Sequence, residues 1–252
     1  MPGSFSTALL MSFLAGMATS VGAALGIIGR APGKRTLSVI MGFSAGMMVM
    51  GAFAALLPNA QEVIGRGWGF MAFLLGMGGM WLLDVFVPHD YLAEKYSKPG
   101  RERIFKAGML ATIGITIHNV PEGIAVFTSG AHDVQLGWAI TAAIALHNIP
   151  EGLAVSVPIY AATGSRGKAF AWGTFSGLFE PAGALVTGVA LYHFMSPAVV
   201  GWALAAAAGL MVYISLDELL PAAQADGEAH PAIVGVIAGM AVMAGGLLVM
   251  VK

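Results

Sequence analysis

Apolar residues in this chain come in long unbroken runs rather than in alternation or in narrow amphipathic stripes. A bilayer core needs about 20 predominantly apolar residues per helix. Runs of that kind fall at 4–29, 36–60, 67–88, 106–130, 136–160, 168–194, 197–223 and 230–251. The breaks between them carry ordinary turn and charge signals, such as Arg30-Ala31-Pro32-Gly33-Lys34-Arg35 and Gly65-Arg66-Gly67. The longest break, 89–105, is polar and of mixed charge, and is too short for a separate domain. The pattern predicts an all-α polytopic membrane protein. It forms one transmembrane domain over residues 1–252 with eight transmembrane helices, and 89–105 is a loop between the third and fourth. No basic stretch precedes the first run, which therefore reads as a retained span and not as a signal peptide.

Composition sharpens this reading. The chain is 58% hydrophobic and 10% charged, against about 25% charged residues in soluble domains; its mean hydropathy is +0.82. The 35 glycines suit close helix packing in lipid. A net charge of -1 gives no reason to expect nucleic acid as a partner. The absence of cysteine excludes disulfides and thiolate metal sites, and the 16 methionines read as filler for irregular packing.

Orientation follows from the basic residues. With the N-terminus outside, ten of the 12 Lys and Arg fall in inner connections, leaving Arg66 and Lys252 outside. Under the positive-inside rule both termini then face out and 89–105 is cytoplasmic. Spans two and seven also share a pattern at an offset of 163 residues: Ala45-Gly46-Met47-Met48-Val49 … Leu57-Pro58-Asn59-Ala60-Gln61 matches Ala208-Gly209-Leu210-Met211-Val212 … Leu220-Pro221-Ala222-Ala223-Gln224. Gly16, Gly22 and Ala23 match Gly177, Gly183 and Ala184 at nearly the same spacing. Since spans two and seven run in opposite directions, the expected relation is an inverted repeat of spans 1–3 and 6–8, a construction common in secondary transporters.

The chemistry lies between the repeats. Span four contains His118-Asn119-Val120-Pro121-Glu122-Gly123 and span five His147-Asn148-Ile149-Pro150-Glu151-Gly152, each near the middle of its apolar run. His and Glu at i and i+4 share one helical face, and Asn at i+1 adjoins it. Pro121 and Pro150 deprive the carbonyls of Ile117 and Leu146 of their helical donors, which is tolerated in a membrane only inside protein or beside a wet cavity. Glu122, Glu151 and Glu180 sit centrally, while Asp84, Asp217 and Glu218 lie nearer the inner ends; no Lys or Arg falls in a span interior to pair with them. A charge at the bilayer centre costs about 3 kcal/mol on insertion scales, so these carboxylates need protons or cations. Imidazole beside carboxylate suits zinc and its first-row neighbours, whereas an all-oxygen site would favour magnesium or calcium. A lone histidine in one span would read as a buried hydrogen-bonded group. Two copies of one six-residue motif at the midplane, each with an acid, read as a metal site.

These motifs resemble those of the zinc/iron-regulated transporter-like (ZIP) family. The likeness covers essentially the whole chain: eight spans, both ends outside, a variable loop after span three and inverted repeats. The fifth span, Ala145-Leu146-His147-Asn148-Ile149-Pro150-Glu151-Gly152, looks like that of the bacterial branch that takes several divalent metals, and Ser176-Gly177-Leu178-Phe179-Glu180-Pro181 matches the family's sixth-span signature. The resemblance implies a cytoplasmic (inner) membrane protein that carries zinc inward by alternating access, with iron, manganese, cadmium and cobalt as further substrates and no prosthetic group. It implies a binuclear centre, the first site using His118, Glu122, His147 and Glu151 and the second Asn119, Glu122, Asn148, Glu151 and Glu180, bridged by Glu122 and Glu151. Some family members carry an acid at the position of Asn148, so the second site here is weaker or regulatory. Metal-binding residues toward the cytoplasmic exit correspond by position to Asp217 and Glu218, with Asp84 and His89 as further candidates. The loop 89–105 lacks the His-rich tract of many relatives. Besides metal ions the implied partners are membrane lipid and a second copy in a homodimer.

The alternative from another class is an intramembrane zinc-dependent hydrolase using a metal-bound water. The chain has no His-Glu-x-x-His motif, and an enzyme has no need of an inverted repeat. The sequence therefore favours a transporter over an enzyme.

Overall fold

A computed structural model describes residues 3–29, 31–86, 100–191, 196–224 and 228–250. The described residues are helical, with no strand among them. In chain order they form α1 (Phe5–Gly26), α2 (Lys34–Ile64), α3 (Arg66–Phe86), α4 (Glu102–His132), α5 (Val134–Thr163), α6 (Arg166–Gly177 and Phe179–Val186), α7 (Pro197–Gln224) and α8 (Ala229–Met250). Six of these, α1 to α4, α7 and α8, are long and apolar enough to cross a membrane. The outer surfaces of α3 and α8 expose Trp68, Leu74, Trp81, Ile237 and Leu248, and apolar surface on that scale marks a membrane or protein interface. The chain is an integral membrane protein.

Local chemistry sets where helices begin and deform. Ser4, Ser165 and Ser196 cap α1, α6 and α7 by accepting from the backbone N–H three residues on. α2 ends at Gly65, whose φ of 84° favours glycine. Within α2 and α7 the helix widens into π turns at Ala52–Leu56 and Ile214–Leu219, in each case just ahead of a proline, Pro58 or Pro221. A proline offers no N–H and crowds the carbonyl four residues back, and a π turn accommodates both. Pro181 acts in the same way on α6, which breaks at Leu178 directly after Gly177. α4 and α5 run on through Pro121 and Pro150.

Close helix packing rests on glycine. A Cβ on Gly46 (α2) would collide with the carbonyl of Val236 (α8), and one on Gly239 (α8) with that of Phe43 (α2). The same contacts recur between α3 and α7: Gly209 meets the carbonyl of Phe73 and Gly76 that of Ala206. Each member of one set lies 163 residues from its counterpart in the other, and the π turns of α2 and α7 end at the same spacing, at Leu56 and Leu219. A second exchange links α1, α4, α5 and α6. Gly22 meets Ile149 and Gly183 meets Val120, while Gly123 meets Glu180 and Gly152 meets Thr19, always at the backbone. Here α1 and α6 correspond at 161 residues, and α4 and α5 at 29.

The glycine contacts thus sort the helices into two bundles, α1/α4/α5/α6 and α2/α3/α7/α8. Between the bundles the neighbours are side chains, with Met47, Met48, Met211 and Met243 gathered around Pro150. Gly114 of α4 faces the side chains of Ile214 and Leu210 on α7.

Candidate metal centre

His118 and Glu122 stand one turn apart on α4, and the parallel motif on α5 brings Glu151 to the same point. His118 Nε2 lies 3.0 Å from Oε1 of Glu122 and 3.3 Å from Oε1 of Glu151. One ligand atom from each residue falls within 4.8 Å of the others. All three side chains are buried, none more than 1% exposed. His147 is on α5 directly before Asn148, but its side chain lies outside the described residues.

The two asparagines are held by the flanking helices. Asn119 Nδ2 donates to the carbonyl of Ser176 on α6 (2.9 Å), and Asn148 Nδ2 donates to that of Ala15 on α1 (2.9 Å). These anchors are again counterparts at 161 and 29 residues. Asn148 Nδ2 also donates to Glu180 Oε2 at 2.6 Å. With the amide nitrogens committed to acceptors, the amide oxygens are left as acceptors. Oδ1 of Asn119, Oδ1 of Asn148 and Oε1 of Glu180 are all buried and have no hydrogen-bond donor among the described residues. A buried acceptor without a donor is costly, and coordination to a cation is one way to satisfy such an oxygen. Oxygen-rich and imidazole-containing donors therefore lie side by side in one buried volume, a combination that fits zinc or another first-row ion.

A cavity of about 280 Å³ reaches this group from the seam between the bundles, lined among others by Gly76, Met80, Ile117, His118, Pro121 and Ala207. A second acidic group sits where α3 and α7 approach the start of α4: one oxygen each from Asp84, Asp217 and Glu218 lies within 4.8 Å of the others. The expectation that no basic residue pairs with the span acids fails for Asp84. Lys106 Nζ is 3.6 Å from its Oδ1, and Tyr213 Oη donates to its Oδ2 at 3.4 Å. Lys106 is the first residue of the expected fourth span, and its flexible stem carries the ammonium across to α3. His89 lies outside the described residues. The sequence reading missed the carbonyl anchors of Asn119 and Asn148; the signal for them was the pairing of each Asn with a repeat-related position on α1 or α6.

A helical membrane protein with imidazole and carboxylates converging at buried positions belongs among the metal-handling membrane proteins. More narrowly, the profile of the ZIP zinc transporter family matches residues 92–247. A zinc transporter ZupT of Corynebacterium efficiens is 45% identical over 97% of this chain and 97% of its own length. The proteins of that name from Chlorobium luteolum and Enterobacter sp. are 45% and 43% identical, over 98% and 94% of this chain and 98% and 95% of their own lengths. This chain belongs to the ZIP family.

Proposed function

We propose that the chain carries zinc across a bacterial cytoplasmic membrane into the cell, by alternating access of a binuclear centre at the midplane. The observation that carries this reading is the convergence of His118 Nε2 with Glu122 and Glu151, 3.0 and 3.3 Å apart and buried. His118, Glu122, His147 and Glu151 form the first site. Asn119, Asn148 and Glu180 complete the second, with Glu122 and Glu151 bridging. Iron, manganese, cadmium and cobalt are further substrates of the same donor set, and competition against zinc uptake tests each. The relatives' names speak for transport and against hydrolysis.

Eight spans with an inverted repeat are the architecture we infer. It is supported by the glycine contacts that recur in exchanged pairs at 163 residues, and by the 30-residue α5 with the broken α6 beside the six apolar helices. Both termini then face out, because ten of the 12 basic residues gather at the other side.

Backbone-to-backbone contacts make each bundle rigid, while the seam is lined by side chains, methionines among them, that repack at low cost. Movement of the α1/α4/α5/α6 bundle against its partner would carry the centre from one face to the other. Asp217 and Glu218, with Asp84 and His89, would bind metal at the cytoplasmic exit. The test is zinc flux into proteoliposomes. Glu122→Ala and Glu151→Ala should each abolish uptake while leaving the protein inserted and folded. Near-normal uptake by either variant would remove it from the bridging role.

A further inference from the structure

The exchanged contacts around the centre assign a counterpart to each of its residues: Asn119 to Asn148, Glu122 to Glu151, and the Ser176 carbonyl to that of Ala15. Glu180 has one as well. Its backbone takes the close approach of Gly123, and the equivalent approach, by Gly152, falls on Thr19 of α1. The centre is therefore flanked by an acid on α6 and by a threonine at the matching place on α1.

Thr19 is fully buried, and its Oγ1 has no hydrogen-bond partner among the described residues. That is unusual for a helical threonine, whose hydroxyl ordinarily bonds the carbonyl four residues back. Thr112, Thr128, Thr141, Thr163 and Thr187 all do so here. For Thr19 that carbonyl belongs to Ala15, which already accepts from Asn148 Nδ2. Thr116 and Thr174 also lack a partner, but neither has its default acceptor taken by a residue of the centre. The Thr19 carbonyl meets Gly152, next to Glu151, and its side chain meets Gly177, next to the Ser176 carbonyl that anchors Asn119.

We propose that Thr19 is a further residue of the metal centre, its Oγ1 holding a metal-bound water on the α1 side. The inference rests on the binuclear reading above. Glu180 Oε2 reaches Asn148 directly. By the same offsets the position equivalent to that contact pairs Thr19 with Asn119, and because a threonine is two carbons shorter than a glutamate, a water would have to bridge the difference. A hydroxyl oxygen accepts a hydrogen bond from a metal-bound water without adding charge. The centre thus keeps an acidic wall on one side and a neutral one on the other, which tempers how tightly it grips a divalent ion.

The test compares Thr19→Val, which deletes the hydroxyl at nearly constant size, with Thr19→Ser, which keeps it. Zinc affinity is read by calorimetry on purified, metal-stripped protein, and zinc KM and kcat in proteoliposomes. Loss of a group supporting a metal's ligands costs about tenfold or more in affinity. Thr19→Val should weaken zinc binding and raise KM by about tenfold with thermal stability unchanged, and Thr19→Ser should return both to within about twofold of the parent. A purely structural role forecasts no change in zinc affinity or KM, because removing an unsatisfied buried hydroxyl in favour of a methyl is neutral or stabilising for the fold alone. Parental affinity and KM in Thr19→Val, with Glu122→Ala inactive, overturns the role of Thr19 alone. Parental uptake in Glu122→Ala overturns the centre itself, and Thr19 with it.

Discussion

Replacing the two asparagines by aspartate separates the two sides of the centre. Asn119→Asp and Asn148→Asp each lose an Nδ2 donor to a backbone carbonyl, of Ser176 or of Ala15. Each new acid also stands three residues before the glutamate of its own helix, so those costs are shared. Only Asn148 touches another carboxylate, with Nδ2 2.6 Å from Glu180 Oε2. Two like charges about 4 Å apart repel by about 4 kcal/mol at an effective dielectric constant of about 20. The melts are run at alkaline pH, where both carboxyls are ionised and protonation offers no escape from this repulsion. At about 2–4 °C per kcal/mol for a chain of this size, metal-free Asn148→Asp should melt on the order of 10 °C below Asn119→Asp. Zinc reverses the sign, because a cation between the carboxylates turns repulsion into ligation; saturating zinc should raise the melting temperature of Asn148→Asp more than that of the parent. Tryptophan fluorescence melts in detergent, with and without zinc, read both quantities. Equal losses in the two metal-free variants, or no extra zinc stabilisation of Asn148→Asp, would refute the geometry on which this rests.

Zinc uptake should fall as the medium is acidified from about pH 8 to about pH 5, since imidazolium and protonated carboxyl groups do not bind metal; a flat profile across that range contradicts imidazole ligation. The seam can be tested by cross-linking, because the chain has no cysteine of its own. A Cβ on Gly114 would contact the Ile214 side chain on the other bundle, so Gly114→Cys with Ile214→Cys should stop transport when oxidised and recover when reduced. Oxidised protein that transports as fast as reduced protein would rule out relative movement at this seam.

Much of this molecule was legible in its sequence because the bilayer restricts what a chain can do. Long apolar runs admit only helices, and no strand occurs among the described residues. The duplicated His-Asn-x-Pro-Glu-Gly motif announced that His118, Glu122 and Glu151 would meet, since i and i+4 share a face and a short connection makes the helices neighbours. What stayed hidden depends on placement between distant segments. Nothing local marks the carbonyls of Ala15 and Ser176 as anchors, or Thr19 as the counterpart of Glu180. The π turns before Pro58 and Pro221 were masked by the uniform hydrophobicity around them, although the repeated Leu-Pro was visible. Lys106 stands where the inner connection meets the fourth span, and its pairing with Asp84 is a side-chain reach from the start of α4 to the end of α3 that no local pattern marks.

The central claim is that buried acids and imidazole in the middle of the membrane hold a divalent ion together. Anomalous diffraction at the zinc edge, from crystals of the zinc-loaded protein, addresses it most directly. The expected result is a peak within about 2.0–2.2 Å of His118 Nε2 and of carboxylate oxygens of Glu122 and Glu151. Zinc bound elsewhere, with these three side chains still joined to one another by hydrogen bonds, would contradict it.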